Sequence, residues 1–317
     1  MKASSNETEF LYRPDSLLAR VVDATKEAFF PARCLICGSF YRIQKQFRNC
    51  LNSIFQALNC RDARTPIFEI LSQIGNLCDD ALENGLSSEA KIFAILMAPF
   101  LCAECSGTFL TIESPICSTC GIVFQSRVGE DHICGECIDS PKSYQRARSA
   151  GVYDTVLMAA IHRLKYNGKI QLAKPMGLFL FFIFCRYWLE SPPDLIIPVP
   201  LFNKKLRSRG FNPSFFLVRE WDSIFRALNN GFPVIPIAEN ILIRTRWTKS
   251  QTGLGRKERL KNIKNAFTVN DALRIYRKKI ILIDDVYTTG ATANECSKAL
   301  VAAGASHVDV LTLARAM

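Results

Sequence analysis

Leu17, Leu18, Val21, Val22, Ala28 and Phe29 recur at helical intervals and stop before Pro31, the pattern of an amphipathic helix closed by proline. The same period returns further on. Phe47, Cys50, Leu51, Ile54, Phe55 and Leu58 share one helical face, as do Ile67, Ile70, Leu71, Ile74, Leu77 and Cys78, and a third apolar segment spans 91–100. From about Gly151 the pattern changes. Short apolar runs at 195–200 (LIIPVP), 233–238 (PVIPIA), 280–284 (IILID) and 307–314 (HVDVLTLA) alternate with helical stretches near 213–228 and 292–303. Such runs, covered on both faces and separated by helices, predict an α/β fold with a parallel sheet flanked by helices. The apolar stretch at 178–185 (LFLFFIFC) is closed by Arg186. It falls far short of the roughly 20 residues that a membrane span needs and reads as a buried helix.

Composition sharpens this picture at one point, the cysteines. The chain has 317 residues, 49% hydrophobic and 22% charged, enough for one large or two modest domains. Its start lacks an apolar signal core, so the thirteen cysteines point to metal or core roles and to a cytoplasmic protein rather than to a disulfide framework. Eight of them form four CxxC pairs, at 34–37, 102–105, 117–120 and 134–137. Zinc takes four thiolates in a tetrahedron, and each CxxC turn offers two from one knuckle. Pairing in sequence order gives one site from Cys34, Cys37, Cys102 and Cys105 and another from Cys117, Cys120, Cys134 and Cys137. An interleaved cross-brace is the alternative pairing, and iron–sulfur the alternative metal chemistry. The expected organisation is an N-terminal helix (1–33), a double zinc ribbon (34–140) with a helical insertion at about 38–101, and an α/β domain (145–317).

The run KKIILIDDVYTTGATANECSKAL at 278–300 carries the other chemistry. A strand ending in Asp284 and Asp285 feeds a small, hydroxyl-rich turn and then a helix start, where free N–H groups and the helix dipole favour an anion. Gly290 allows close approach of a phosphate. The stretch resembles the PRPP-binding loop of type I phosphoribosyltransferases. The resemblance gives Asp284 and Asp285 the ribose hydroxyls and gives Thr288, Thr289, Gly290, Ala291 and Thr292 the 5-phosphate, with Mg²⁺ accompanying PRPP. Together with LKYNGK (164–169), PVPL (198–201), KLRSRGFN (205–212), the basic run 244–267 and VLTLARA (310–316), the CxxC-bearing chain looks like the ComF/GntX family of competence-associated proteins. Lys165, Lys169 and Arg256 are candidate phosphate ligands, and 244–262 is a candidate lid. Two positions depart from the family pattern: Phe202 stands where His is frequent, and Pro213 where Gln is.

Net charge is +11, and between Asn203 and Lys264 there are 14 Lys/Arg against 4 Asp/Glu. Cations so concentrated suit pyrophosphate, or a nucleic-acid backbone with Trp247 or Phe211 for base stacking. A solvated basic face is the plain alternative. Three readings follow: a Mg²⁺-dependent phosphoribosyltransferase, a single-stranded-DNA-binding competence protein that uses the pocket as a sensor, or a scaffold that docks a helicase or recombination partner.

Overall fold

The computed structural model of the chain describes residues 31–59, 86–126, 128–227, 233–247, 258 and 262–317. The expected helix at 15–30 and the apolar face at 67–78 lie outside them. In chain order the elements are β1 (Ala32–Arg33), β2 (Phe40–Tyr41), α1 (Lys45–Asn59), α2 (Ser88–Met97), α3 (Ala103–Gly107), α4 (Gly135–Asp139), β3 (Arg146–Val152), α5 (Thr155–Tyr166), α6 (Ala173–Trp188), β4 (Leu195–Pro198), α7 (Asn203–Arg209), α8 (Pro213–Val218), α9 (Trp221–Ala227), β5 (Leu242–Arg244), β6 (Phe267–Val269), β7 (Lys279–Tyr287), α10 (Ala291–Ala302) and β8 (His307–Arg315).

Four strands form a parallel sheet in the order β3-β8-β7-β4. Alternation of side chains sends Ile196, Ile281, Ile283, Leu311 and Leu313 to one face and Leu195, Ile197, Ile280, Leu282, Val308 and Val310 to the other, and both sets are buried. The first face is covered by α5, α6, α8, α9 and the helices α1 and α2, and the second by α10 and the short β5–β6 pair. The run 233–238 contributes a single parallel bridge, Ile237 to Ile196, at the β4 edge rather than a full strand.

Sequence reading missed β3, because Arg146, Arg148 and Ser149 break its apolar pattern. Each of these side chains has a polar partner, although the Arg148 Nε is buried without one. Arg146 pairs with Asp309, Arg148 donates to the Ser118 carbonyl, and the hydroxyls of Ser149 and Thr312 meet at 2.6 Å. Buried polar side chains that are satisfied in this way cost little. Outside β3 runs the segment that leads from the second CxxC pair into the third, whose Leu110 and Thr119 carbonyls accept from the N–H groups of Val152 and Ala147.

The insertion joins the core. α1 buries Phe47, Cys50, Leu51 and Ile54, and α2, capped by Ser87, is buried from Ala90 to Met97. Phe93 stacks on Phe109 at 4.1 Å, and both rings meet Phe179 of α6 edge-on. Among the described residues one helix, 170–188, is long and apolar enough to cross a membrane by length and composition alone, and 72% of its most apolar 18-residue window is buried inside the protein.

The approach of α6 to α8 is close because α6 carries Gly177. A Cβ there would come within 2.2 Å of the Leu217 carbonyl oxygen. Gly177→Ala is therefore expected to push α8 away and destabilise the fold by about 1–3 kcal/mol, read as a lower denaturation midpoint by circular dichroism.

Candidate functional site

β7 is buried for most of its length and delivers Asp284 and Asp285 at the carboxyl end of the sheet, where ligands of open α/β sheets bind. Asp285 is met by Lys165, from the last turn of α5, at 2.7 Å. Asp284 accepts from the Ser214 hydroxyl at 3.1 Å and from the Asp285 N–H at 2.9 Å. Ser214 is placed by the start of α8, where Asn212 caps the helix and Pro213 occupies its first turn. Proline is well suited to that position, so the departure at 213 has a local structural reason.

Further cations surround the pair. Lys205 of α7 lies within the electrostatic reach of Arg209, Lys165, Arg244 and Asp285, and Arg244 of β5 lies within that of Asp284. Burial lowers the Lys205 ammonium, and the neighbouring cations lower it further. Burial also pulls Lys165 down, but Asp285 outweighs it and holds the ammonium above its ordinary range. Asp284 keeps a small exposed surface yet lies deep among protein atoms. Burial and the adjacent Asp285 push its carboxyl up to about 7, against the opposing pull of Lys165. The cluster therefore holds more positive than negative charge and takes an anion readily.

After β7 the chain turns through Thr288 and Thr289 to Gly290, whose φ of +71° favours glycine. A Cβ on Gly290 would also come within 2.1 Å of the Tyr287 hydroxyl. The N–H groups of Thr288, Thr289 and Gly290 donate to no group among the described residues. Three free donors in a tight turn at the start of a helix make a cradle for an oxyanion. Thr289 turns its hydroxyl inward, accepting from the Ala291 N–H at 3.4 Å. Ala291 and Thr292 open α10.

The candidates named from sequence are thus only partly gathered. Lys165 reaches the acidic pair, Lys169 is exposed in the turn beyond α5, and Arg256 lies outside the described residues, as does most of the 244–262 lid. Phe211 is buried and offers no stacking face, a correction to its expected availability. Trp247 is 48% exposed, with Phe202 edge-on at 5.8 Å and the Lys204 ammonium over its ring at 5.4 Å. Lys205 and Arg244 open the KLRSRGFN stretch and the 244–267 run and read from sequence only as members of a basic cluster, and no motif marks Ser214.

The thiols gather in sequence order: Cys34, Cys37, Cys102 and Cys105 in one cluster, Cys117, Cys120, Cys134 and Cys137 in the other. Within each, the ligand sulfurs lie within 4.8 Å of one another. Cys37 and Cys102 in the first, and Cys120 and Cys134 in the second, bring their sulfurs to 3.8 Å. That matches the edge of a tetrahedron with zinc–sulfur bonds of about 2.3 Å. Burial pushes the Cys117 thiol up, but the N–H groups of Cys120 and Cys134, at 3.4 and 3.3 Å, overcome it and bring the thiol to about 6. Both groups fit zinc. His132 is not needed, since its ring stacks on Phe124 at 3.9 Å.

The first cluster joins the hydrophobic core on the α6 face of the sheet, through Cys34, Cys102 and Cys105, and the second joins the core on the α10 face, through Cys117, Cys120, Cys134 and Cys137.

No family model matches the chain. Among curated proteins it is similar to competence protein F of Haemophilus influenzae, 32% identical over 217 residues, which is 67% of this chain and 90% of that protein. It is similar to the DNA utilization protein YhgH of Escherichia coli strain K12, 29% identical over 229 residues (68% and 91%). It is also similar to competence protein ComFC of Streptococcus pneumoniae, 28% identical over 242 residues (69% and 100%).

The raised Asp284 carboxyl has a consequence for stability. A carboxyl that ionises near 7 when folded but near 3.8 when unfolded weakens the fold progressively as pH rises through that window, and not below it. Asp284→Asn is expected to stabilise the unliganded protein, by an amount that grows from pH 4 to pH 7 and then levels off. Urea midpoints measured across that range check this; a gain independent of pH would contradict it.

Proposed function

The chain belongs to the ComF family of competence proteins, and on that footing we propose that it binds PRPP or a closely related sugar-phosphate with Mg²⁺ in the service of DNA uptake and use. The observation that carries this reading is the juxtaposition of the acidic pair with the three free N–H groups of the 288–290 turn, inside a ring of four cations. Asp284 and Asp285 would accept from the ribose hydroxyls, and the turn would hold the 5-phosphate. Lys205, Arg209 and Arg244 would face the diphosphate, where cations offset charge that develops on a leaving group. Mg²⁺ would supply further neutralisation of that diphosphate. Lys165 fixes the Asp285 carboxylate in place, and Ser214 does the same for Asp284. No histidine stands among these groups, so positioning and electrostatics rather than a dedicated base would carry any pentosyl transfer.

A second reading has its own observation. The exposed Trp247, flanked by Phe202 and Lys204, is a stacking surface beside basic side chains, which suits a single strand of DNA. In that case the pocket senses the sugar-phosphate while the basic rim holds the strand.

Calorimetric titration with Mg²⁺ and PRPP is expected to show binding by the wild-type chain, and Asp285→Asn is expected to weaken it by about ten- to a hundredfold, the worth of charge-assisted hydrogen bonds. No binding by the wild-type chain would sink the proposal. Binding without pyrophosphate release from any acceptor would favour the sensing reading. For the DNA reading, affinity for an oligothymidylate is expected to fall steeply with salt and to drop further in Trp247→Ala; a flat salt series would remove it.

A further inference from the structure

We propose that Arg315 and Tyr287 are positioning residues that tie the 288–290 turn to the second thiolate cluster, so that metal in that cluster sets the turn for its anion. This rests on the sugar-phosphate reading of the turn given above.

Tyr287 and Arg315 are the last residues of β7 and β8 and stand opposite each other in the sheet register. The Tyr287 ring runs into the core on the α10 face, and its hydroxyl meets that of Tyr144 at 2.5 Å. The same hydroxyl fills the space that a Cβ on Gly290 would need, so the ring is the floor on which the turn rests. The Arg315 guanidinium lies over the other side of that system, 4.4 Å from the Tyr287 ring centroid. It donates through Nη1 to the Cys120 carbonyl and through Nη2, at 3.5 Å, to the Cys120 sulfur. One unbroken set of contacts therefore runs from a cluster sulfur through a guanidinium and a phenol to the turn.

Charge gives this path its direction. Arg315 is 5% exposed, and no carboxylate pairs with it among the described residues. A buried guanidinium without a counter-ion is strongly unfavourable. Four thiolates around one Zn²⁺ carry a formal charge of about −2, and a hydrogen bond to a ligand sulfur is a common way for a protein to anchor such a centre. The filled cluster is the counter-ion that Arg315 lacks. Without it, the guanidinium has only a carbonyl and a ring to hold it, and Tyr287 loses the group that presses it under Gly290. The first cluster joins the core on the opposite face of the sheet, and among the described residues no such path leads from it to the turn.

The test compares the full-length zinc-loaded chain with Cys134→Ser, which breaks the second cluster, and Cys37→Ser, which breaks the first. Zinc content per chain, amide hydrogen exchange at 288–291 and calorimetric affinity for Mg²⁺ and PRPP are measured on each. Cys134→Ser is expected to speed exchange at the turn and weaken PRPP by about tenfold or more, whereas Cys37→Ser leaves both within about twofold, the separation typical of losing or keeping an outer contact to a metal ligand. Arg315→Met with its zinc intact is expected to reproduce the effect, and Arg315→Lys to restore part of it, which keeps the test valid where Cys134→Ser fails to fold. Turn exchange and affinity unchanged in folded Cys134→Ser or in Arg315→Met would overturn the tie. Zinc-loaded protein that ignores PRPP but whose turn still loosens in Cys134→Ser would retain the tie and defeat the sugar-phosphate reading instead.

Discussion

A strand buried on both faces can end in two adjacent carboxylates only where cations and donors come within reach of them. In this protein that requirement organises the carboxyl end of the sheet. Lys165 arrives from α5, Lys205 and Arg209 from α7, Arg244 from β5 and Ser214 from α8, so four segments separated in sequence converge on β7. The result is over-compensated, with more positive than negative charge around Asp284 and Asp285. A site balanced for its own stability would stop at neutrality. The surplus, together with the unused N–H groups of the turn, prepares the site for an anion that brings its own oxygens.

The two thiolate clusters extend the same economy of placement. Each joins a different hydrophobic core, one on either side of the sheet. The first cluster packs into the core shared by α1, α2 and α6. The second anchors the loop that packs on β3 and, through Arg315, the end of β8. Structural metal of this kind contributes folding energy where the chain has little other regular structure to offer.

Much of this was legible in the sequence because it is local. The apolar run at 280–283 and the acidic pair after it specify a strand end, and the CxxC spacing specifies knuckles. The helical period at Phe47, Cys50, Leu51 and Ile54 identified α1. What could not be read is non-local. β3 disguises itself because its arginines are satisfied by residues some 30 and 160 positions away, Ser118 and Asp309. Ser214 looks like an ordinary surface residue, and Lys205 and Arg244 like any members of a long basic run, until the fold brings them to β7. Phe211 was misread for the converse reason: it lies beside a basic run, yet it packs on Phe216 in the interior.

The stretch that carries Leu110 and Thr119 along the outside of β3 has one more effect. β3 is the last strand on its side of the sheet, and open strand edges are templates for pairing with other chains. Here the backbone groups of Val152 and Ala147 already donate to that stretch, and at the far edge Ile196 of β4 already exchanges hydrogen bonds with 236–238. At these positions neither rim offers a free ladder. A strand added at the β3 rim would first have to peel away a segment that leads into the second thiolate cluster, and one added at the β4 rim would have to displace 236–238.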